Sequence, residues 1–161
     1  MDTINIKIDN KNFQVPKGTS ILDAAKSVGV KIPTLCYMHL HDLNTTHKPT
    51  GCRICVVEVE GRKNLVPACA TECLPGMVIK NQTIRVLNSR KTVLELILSD
   101  HPADCLICAK NGDCDLQSMA QEMGIRHYYY KGEKSTYIKD RSPAIRRDMD
   151  KCISCRRCLT M

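Results

Sequence analysis

Along the first residues, apolar Ile4, Ile6 and Ile8 alternate with polar positions, the turn formers Asp9, Asn10 and Asn12 follow, and Phe13 and Val15 resume the apolar positions. A period of two on both sides of a turn predicts a β-hairpin. Gly18 then leads into a helix capped by Thr19 or Ser20, with Asp23 at the capping-box distance from Ser20; Leu22, Ala25 and Val28 form its apolar face and Gly29 stops it. Two further short strands are expected, in CVVEVEG (55–61) and MVIK (77–80). From Thr83 the period becomes helical, with Leu87, Leu94 and Leu98 beside Val86, Val93 and Ile97. This helix should end at His101-Pro102, because the residue before proline resists the α region. A shorter helix should begin near Asp113, group Leu116, Met119, Ala120 and Met123, and stop at Gly124. Residues 126–150 show no clear period and read as a linker with one or two short strands, its tyrosines packing on neighbouring domains.

Composition explains why a second source of stability is needed. The 161 residues include no Trp and a single Phe, so little core material is available, and bound metal can supply folding free energy directly. No apolar run approaches the roughly 20 residues that cross a bilayer, so direct membrane insertion is not expected. MDTINIKI alternates instead of running into an apolar stretch, which argues against a signal peptide, and the odd count of 11 cysteines argues against a secreted disulfide scaffold. A cytoplasmic, reducing compartment is the expectation. The net charge of +7 is a C-terminal property: residues 1–125 carry 14 Lys and Arg against 13 Asp and Glu, residues 126–161 carry 10 against 4. Thiolate-bound metal would offset part of that excess, which suits docking to an acidic partner better than binding nucleic acid.

Ten of the cysteines fall into three spaced sets. Soft thiolates in short clustered loops suit iron-sulfur clusters or zinc. In the first set, Cys36-x15-Cys52-x2-Cys55-x13-Cys69, a close pair lies between two distant ligands. A 2Fe-2S cluster needs four thiolates around two tetrahedral irons and a tight loop aiming backbone N–H groups at sulfur, and Gly51 suits such a loop. A zinc site more often shows two C-x2-C pairs, yet spacing alone leaves it open. The second set is His101-x3-Cys105-x2-Cys108-x5-Cys114, for which zinc bound by three thiolates and an imidazole is the runner-up. The third, Cys152-x2-Cys155-x2-Cys158, matches the first three cysteines of the bacterial ferredoxin run and lacks a fourth ligand within these residues. Either this is a piece of a longer chain or a short subunit whose last cluster is absent or completed by another thiolate. Cys73 fits no set and reads as a small packed thiol. His39, His41, His47 and His127 read as surface residues.

LCYM (35–38), GCRICVVEVEG (51–61), PACAT (67–71) and PGMVI (75–79) resemble the 2Fe-2S domain that opens the iron-sulfur subunits of [FeFe]-hydrogenases, the large iron-sulfur subunit of respiratory NADH dehydrogenase, and related NAD-linked formate dehydrogenases and bifurcating transhydrogenases. LELILSDHPADCLICAKNGDCDLQSMA (94–120) resembles the 4Fe-4S site of the same families, in which one His replaces the fourth thiolate. DRSPAIRRDMDKCISCRRC resembles the entrance to the two-cluster ferredoxin domain of hydrogenases. HLHDLNTTHKPT (39–50) is longer than in many relatives and should enlarge a surface loop.

The resemblance implies an α+β chain: a β-grasp 2Fe-2S ferredoxin domain (1–80), a small helical His-ligated 4Fe-4S domain (81–125), and a linker with the start of a bacterial-ferredoxin-like segment (126–161). It implies one 2Fe-2S cluster on Cys36, Cys52, Cys55 and Cys69, one 4Fe-4S cluster on His101, Cys105, Cys108 and Cys114, and a further 4Fe-4S cluster involving Cys152, Cys155 and Cys158. The implied function is relaying single electrons between an NAD(P)H-binding flavoprotein subunit and another iron-sulfur or catalytic subunit in a hetero-oligomer. No catalytic acid, base or nucleotide-cradling glycine loop is visible. Two alternatives stand beside it: the N-terminal part of a catalytic [FeFe]-hydrogenase or formate dehydrogenase, and a zinc-binding interaction module.

Overall fold

The computed structural model describes residues 2–40, 45–47, 50–132, 143–144 and 148–159. The chain divides into two compact units, one of Met1–Arg90 with Arg156–Met161, the other of Lys91–Cys155.

The first unit is a five-stranded mixed sheet with a short helix against it. Strands β1 (Thr3–Ile8) and β2 (Lys11–Pro16) form the expected hairpin, in register Ile4 opposite Val15 and Ile6 opposite Phe13. Asp9 and Asn10 turn it with positive φ of 44° and 70°, a conformation that short polar side chains tolerate. After helix α1 (Ile21–Ser27) come a small hairpin of β3 (Met38–Leu40) and β4 (Thr45–His47), then β5 (Val56–Val59), β6 (Val66–Pro67) and β7 (Val78–Lys80). The sheet order is β2-β1-β7-β5-β6, with β1 and β7 parallel and the other neighbours antiparallel. Ile4, Ile6, Ile8, Val57 and Ile79 from the sheet close on Ile21, Leu22, Ala24 and Ala25 of α1 to make the core. The sequence pattern gives no sign of β6, which is only two residues long and includes Pro67, a residue without a ladder donor.

Ser20 is the cap of α1: its Oγ accepts from the Asp23 N–H at 3.1 Å and donates to Asp23 Oδ2 at 2.6 Å. The next unpaired helix donors find a loop. Ile21 N donates to the Thr71 carbonyl at 2.9 Å and Leu22 N to the Ala68 carbonyl at 3.0 Å, so the start of α1 satisfies its backbone by gripping both sides of Cys69.

Helix α2 (Ile84–Asp100) ends just before His101, as expected. Its buried face differs from the leucine stripe that the sequence pattern suggests. Val86, Arg90 and Leu94 are the buried positions, Leu87 is exposed, and Val93, Ile97 and Leu98 are half-buried. Positions four apart share a helix face, and a charged residue in the middle of this one disguises it. Helix α3 (Asp115–Glu122) starts two residues later than expected, with Leu116 buried. Residues 126–132 contain no strand, and the rest of the linker lies largely outside the described residues. Tyr128, Tyr129 and Tyr130 are exposed rather than packed.

Candidate metal centres

In the first unit the four cysteines of the first set are all buried. Each is held by a different element. Cys36 and Cys52 lie in the segments leading into and out of the β3-β4 hairpin, Cys55 directly precedes β5, and Cys69 follows β6. Ala68 N donates to the Cys55 carbonyl at 3.0 Å, tying the last two together.

The sulfurs come in two pairs. The Cys36 thiol donates to the Cys52 sulfur, which with burial pushes Cys36 far up and, joined by the backbone N–H groups of Ile54, Leu35 and Cys36, holds Cys52 down at about 5 despite burial. Likewise Cys69 donates to Cys55: Cys69 is pushed far up, by that bond and then by burial, and Cys55 is lowered to about 7, by that bond and then by the N–H groups of Cys69 and Ala68. The two pairs also feel each other's charge. Two thiolates for each of two irons, with amides directed at sulfur, is the donor set a two-iron cluster requires. The tight loop is made by Thr50 (φ 51°) and Arg53 (φ 57°), both in the left-handed region.

Beyond the ligands, two interactions hold Cys36 in place. The Tyr37 hydroxyl donates to Asp23 Oδ1 on α1. Arg157 donates from Nη2 to the Tyr37 carbonyl at 3.1 Å and from Nε to the Cys36 carbonyl at 3.5 Å. The spacing of cysteines gives no sign of Asp23, Tyr37 or Arg157; only the capping box around Asp23 is readable.

In the second unit His101 directly follows α2, Cys105 opens a 3-10 turn (Cys105–Ile107), and Cys114 directly precedes α3. Cys105 is exposed, Cys108 and Cys114 half-exposed. His101 Nδ1 lies 3.1 Å from the Pro102 carbonyl; a carbonyl can only accept, so Nδ1 is the donor in this contact and Nε2 is the ring nitrogen left to face a ligand. The Cys105–Cys114 loop is braced from within. Gln117 accepts from Gly112 N and donates to Asn111 Oδ1, both at 2.9 Å, and Asn111 N donates to the Cys108 carbonyl at 3.0 Å. Lys151 pairs with Asp104 at 3.0 Å and lies 3.7 Å from Cys108 Sγ.

Of the third set, Cys152 and Cys158 are exposed and Cys155 half-exposed. Ser154 N points at Cys152 Sγ at 3.4 Å, with Ser154 (φ 52°) and Arg156 (φ 59°) in the left-handed region. The Cys52-x2-Cys55 turn likewise directs the N–H of the second residue after its first cysteine at that cysteine's sulfur. Among the described residues no three or more His, Cys, Asp or Glu side chains converge on a position for a single metal ion. Cys73 is buried in the sheet core, its thiol pushed up to about 11 by burial. His127 is exposed. No described helix is long and apolar enough to cross a membrane.

Comparison with known proteins finds iron-sulfur binding regions in both parts of the chain. Residues 1–84 match the model of the 2Fe-2S iron-sulfur cluster binding domain, and residues 90–128 match the NADH-ubiquinone oxidoreductase-G iron-sulfur binding region. The chain is similar to the NADP-reducing hydrogenase subunit HndD of Solidesulfovibrio fructosivorans, 57% identical over all of this chain and 28% of that protein. It is 36% identical to the mitochondrial NADH dehydrogenase (ubiquinone) iron-sulfur protein 1 of Solanum tuberosum, over 98% of this chain and 21% of that one. The chain thus spans less than a third of these relatives' length. Among solved structures, an NAD+-reducing [NiFe]-hydrogenase in its H2-reduced state aligns with a TM-score of 0.79 at 27% identity, over 98% of this chain and 64% of that one.

The chain is therefore an iron-sulfur electron-transfer module of the kind found in NAD(P)H-linked oxidoreductases. It belongs to the 2Fe-2S iron-sulfur cluster binding domain family, with a 4Fe-4S binding region following.

Proposed function

We propose that the chain relays single electrons between an NAD(P)H-binding flavoprotein subunit and another iron-sulfur or catalytic subunit of a cytoplasmic hetero-oligomer. In this reading residues 1–80 are a β-grasp 2Fe-2S domain, 81–125 a small helical 4Fe-4S domain, and 126–161 a linker with the start of a ferredoxin-like segment. The observation that carries it is the pairing of four buried thiols, Cys36 with Cys52 and Cys55 with Cys69.

Clusters bound at these sites supply one-electron chemistry, which lets a hydride's two electrons leave in separate steps. Cys36, Cys52, Cys55 and Cys69 serve as the four thiolates of the first site, and the amides of Ile54, Leu35, Cys69 and Ala68 stabilise their negative charge. Burial of all four keeps water from that charge. His101, Cys105, Cys108 and Cys114 serve the second site, where the proton on Nδ1 leaves Nε2 as the imidazole donor. A neutral donor in place of a fourth thiolate removes one negative charge and raises the potential. Cys152, Cys155 and Cys158 would contribute three thiolates to a third cluster that assembles only when a fourth ligand is supplied, by a continuation of the chain or by another subunit.

Identity of 57% with a hydrogenase subunit, of which the chain matches 28%, favours a second reading in which this stretch is the relay portion of a longer catalytic hydrogenase-type chain. Both readings share one test. Anaerobically purified protein should contain about six irons from the two complete sites, with one 2Fe-2S and one 4Fe-4S signal in electron paramagnetic resonance. Cys52→Ala should abolish the 2Fe-2S signal alone, and its survival would overturn the assignment of the first site.

A further inference from the structure

Arg90 is a cation the electron-relay reading leaves unused. It is 2% exposed, the one charged residue among the buried side chains described, and it sits in the middle of the buried face of α2. Its Nη2 donates to the Val56 carbonyl at 2.8 Å and to Asn81 Oδ1, both neutral acceptors, while its Nε has no hydrogen-bond partner among the described residues. Burying a guanidinium costs several kcal/mol, and two neutral acceptors offset only part of that. The structure nevertheless fixes this charge firmly. Asn81 is held by its own amide donating to Asp9 Oδ1 at 2.7 Å and by its Nδ2 donating to the Lys31 carbonyl at 3.2 Å.

The position gives the charge a purpose. Val56 is the residue after Cys55, so the guanidinium is anchored on the backbone one residue beyond one of the four buried thiols. Burial lowers the Arg90 pKa to about 10, opposed by the negative charges of Cys55 and Asp9, and it remains charged at neutral pH. Cys55 and Arg90 are thus close enough to interact through a dry interior, where screening by salt is weak.

We infer that Arg90 is a positioning residue for reduction: its buried charge beside Cys55 favours the extra electron at the first site and so raises the potential of the 2Fe-2S centre. The inference rests on the four-cysteine assignment proposed above. Its sign follows from charge. One electron makes a thiolate-bound centre more negative, and a fixed cation stabilises the more negative state more.

The test is a redox titration of the full anaerobic chain, following the 2Fe-2S resonance signal. Arg90→Gln keeps a hydrogen-bond donor and removes the charge; it should weaken one-electron reduction about tenfold, a downward shift of about 59 mV. Arg90→Lys restores the charge and should return most of the potential. A fully loaded Arg90→Gln protein with an unchanged midpoint would overturn the inference and leave Arg90 as a structural pin. If Arg90→Gln does not assemble the centre, Arg90→Met decides: it fills the same buried space without the charge and should likewise titrate about 59 mV lower, and an unchanged midpoint in the loaded protein overturns the inference. Absence of any 2Fe-2S signal in the unmodified chain is a different result, and it takes down the four-cysteine assignment itself.

Discussion

Tyr37→Phe removes one oxygen atom from the segment that carries Cys36, and the structure sets its cost. The hydroxyl donates to Asp23 Oδ1, while Asp23 keeps Ser20 on its other oxygen at 2.6 Å. A hydrogen bond to a charged group contributes about 1.5–3 kcal/mol. Tyr37 is half-buried, so water can reach the vacated carboxylate oxygen and the loss falls at the lower end, about 1.5 kcal/mol. For a domain of this size each kcal/mol moves Tm by about 4–8 °C, giving a fall of roughly 6–12 °C. Local opening around Cys36 should rise by the same free energy, so iron capture by an external chelator should quicken about tenfold. Thermal unfolding followed by visible circular dichroism, with chelator kinetics on the same anaerobic sample, measures both. A double-mutant cycle with Asp23→Ala should return a coupling of at least about 1 kcal/mol. A Tyr37→Phe protein with unchanged Tm and iron release, or strict additivity in the cycle, would show that the Tyr37-Asp23 contact does not hold the Cys36 segment.

Three further outcomes follow from single sites. His101→Cys should keep a 4Fe-4S cluster and lower its potential, because a fourth thiolate adds negative charge; a normal cluster at an unchanged midpoint would mean His101 is not a ligand. With its thiol pushed up to about 11, Cys73 should resist iodoacetamide at pH 8 until the chain unfolds, and Cys73→Ala should leave both cluster signals in place. In Gly132→Ala the new Cβ would fall 2.0 Å from Asp100 Oδ1 and 2.5 Å from the Ser99 carbonyl, so the end of α2 must shift; a stability loss of about 1–3 kcal/mol is expected in denaturant titration.

The chain announces its metal chemistry more clearly than its packing. Hairpin, capped helix and the end of α2 at His101 are all legible, because alternation, capping boxes and proline are local signals acting on the residues that carry them. The pairing of Cys36 with Cys52 and of Cys55 with Cys69 is not, since spacing constrains which cysteines share a site and says nothing about which sulfurs face each other. Arg90 escapes for a related reason. A charge within an apolar helix reads as solvent-facing, and only the tertiary position of Val56 and Asn81 reveals that the face at 86, 90 and 94 points inward. Tyr37 and Arg157 lie outside the ligand spacings, and their role depends on carbonyl and carboxylate groups brought near by the fold.

The two proposed four-residue donor sets sit in different physical surroundings. Around the first lies a sheet and helix core: the start of α1 hydrogen-bonds to the Cys69 loop, β5 begins just after Cys55, and all four thiols are buried. On the proposed assignment, four thiolates together there would be costly in charge; the backbone amides that lower Cys52 and Cys55 offset part of that cost, and by inference the buried Arg90 adds a cation to them. Around the second, Cys105 is exposed and Cys108 and Cys114 half-exposed, on a loop braced by Gln117 and by the Lys151-Asp104 pair at 3.0 Å. A half-exposed ion pair contributes little in water. On the proposed assignment, metal bound there would add to the bracing that Gln117 supplies, because its binding free energy is folding free energy where few apolar side chains are available. On the proposed reading one chain thus pairs a site whose protein core prepares the ligands with a site whose fold the metal would complete. The scarcity of aromatic core residues is felt in the second, where helix ends and short turns hold the ligands in place of strands.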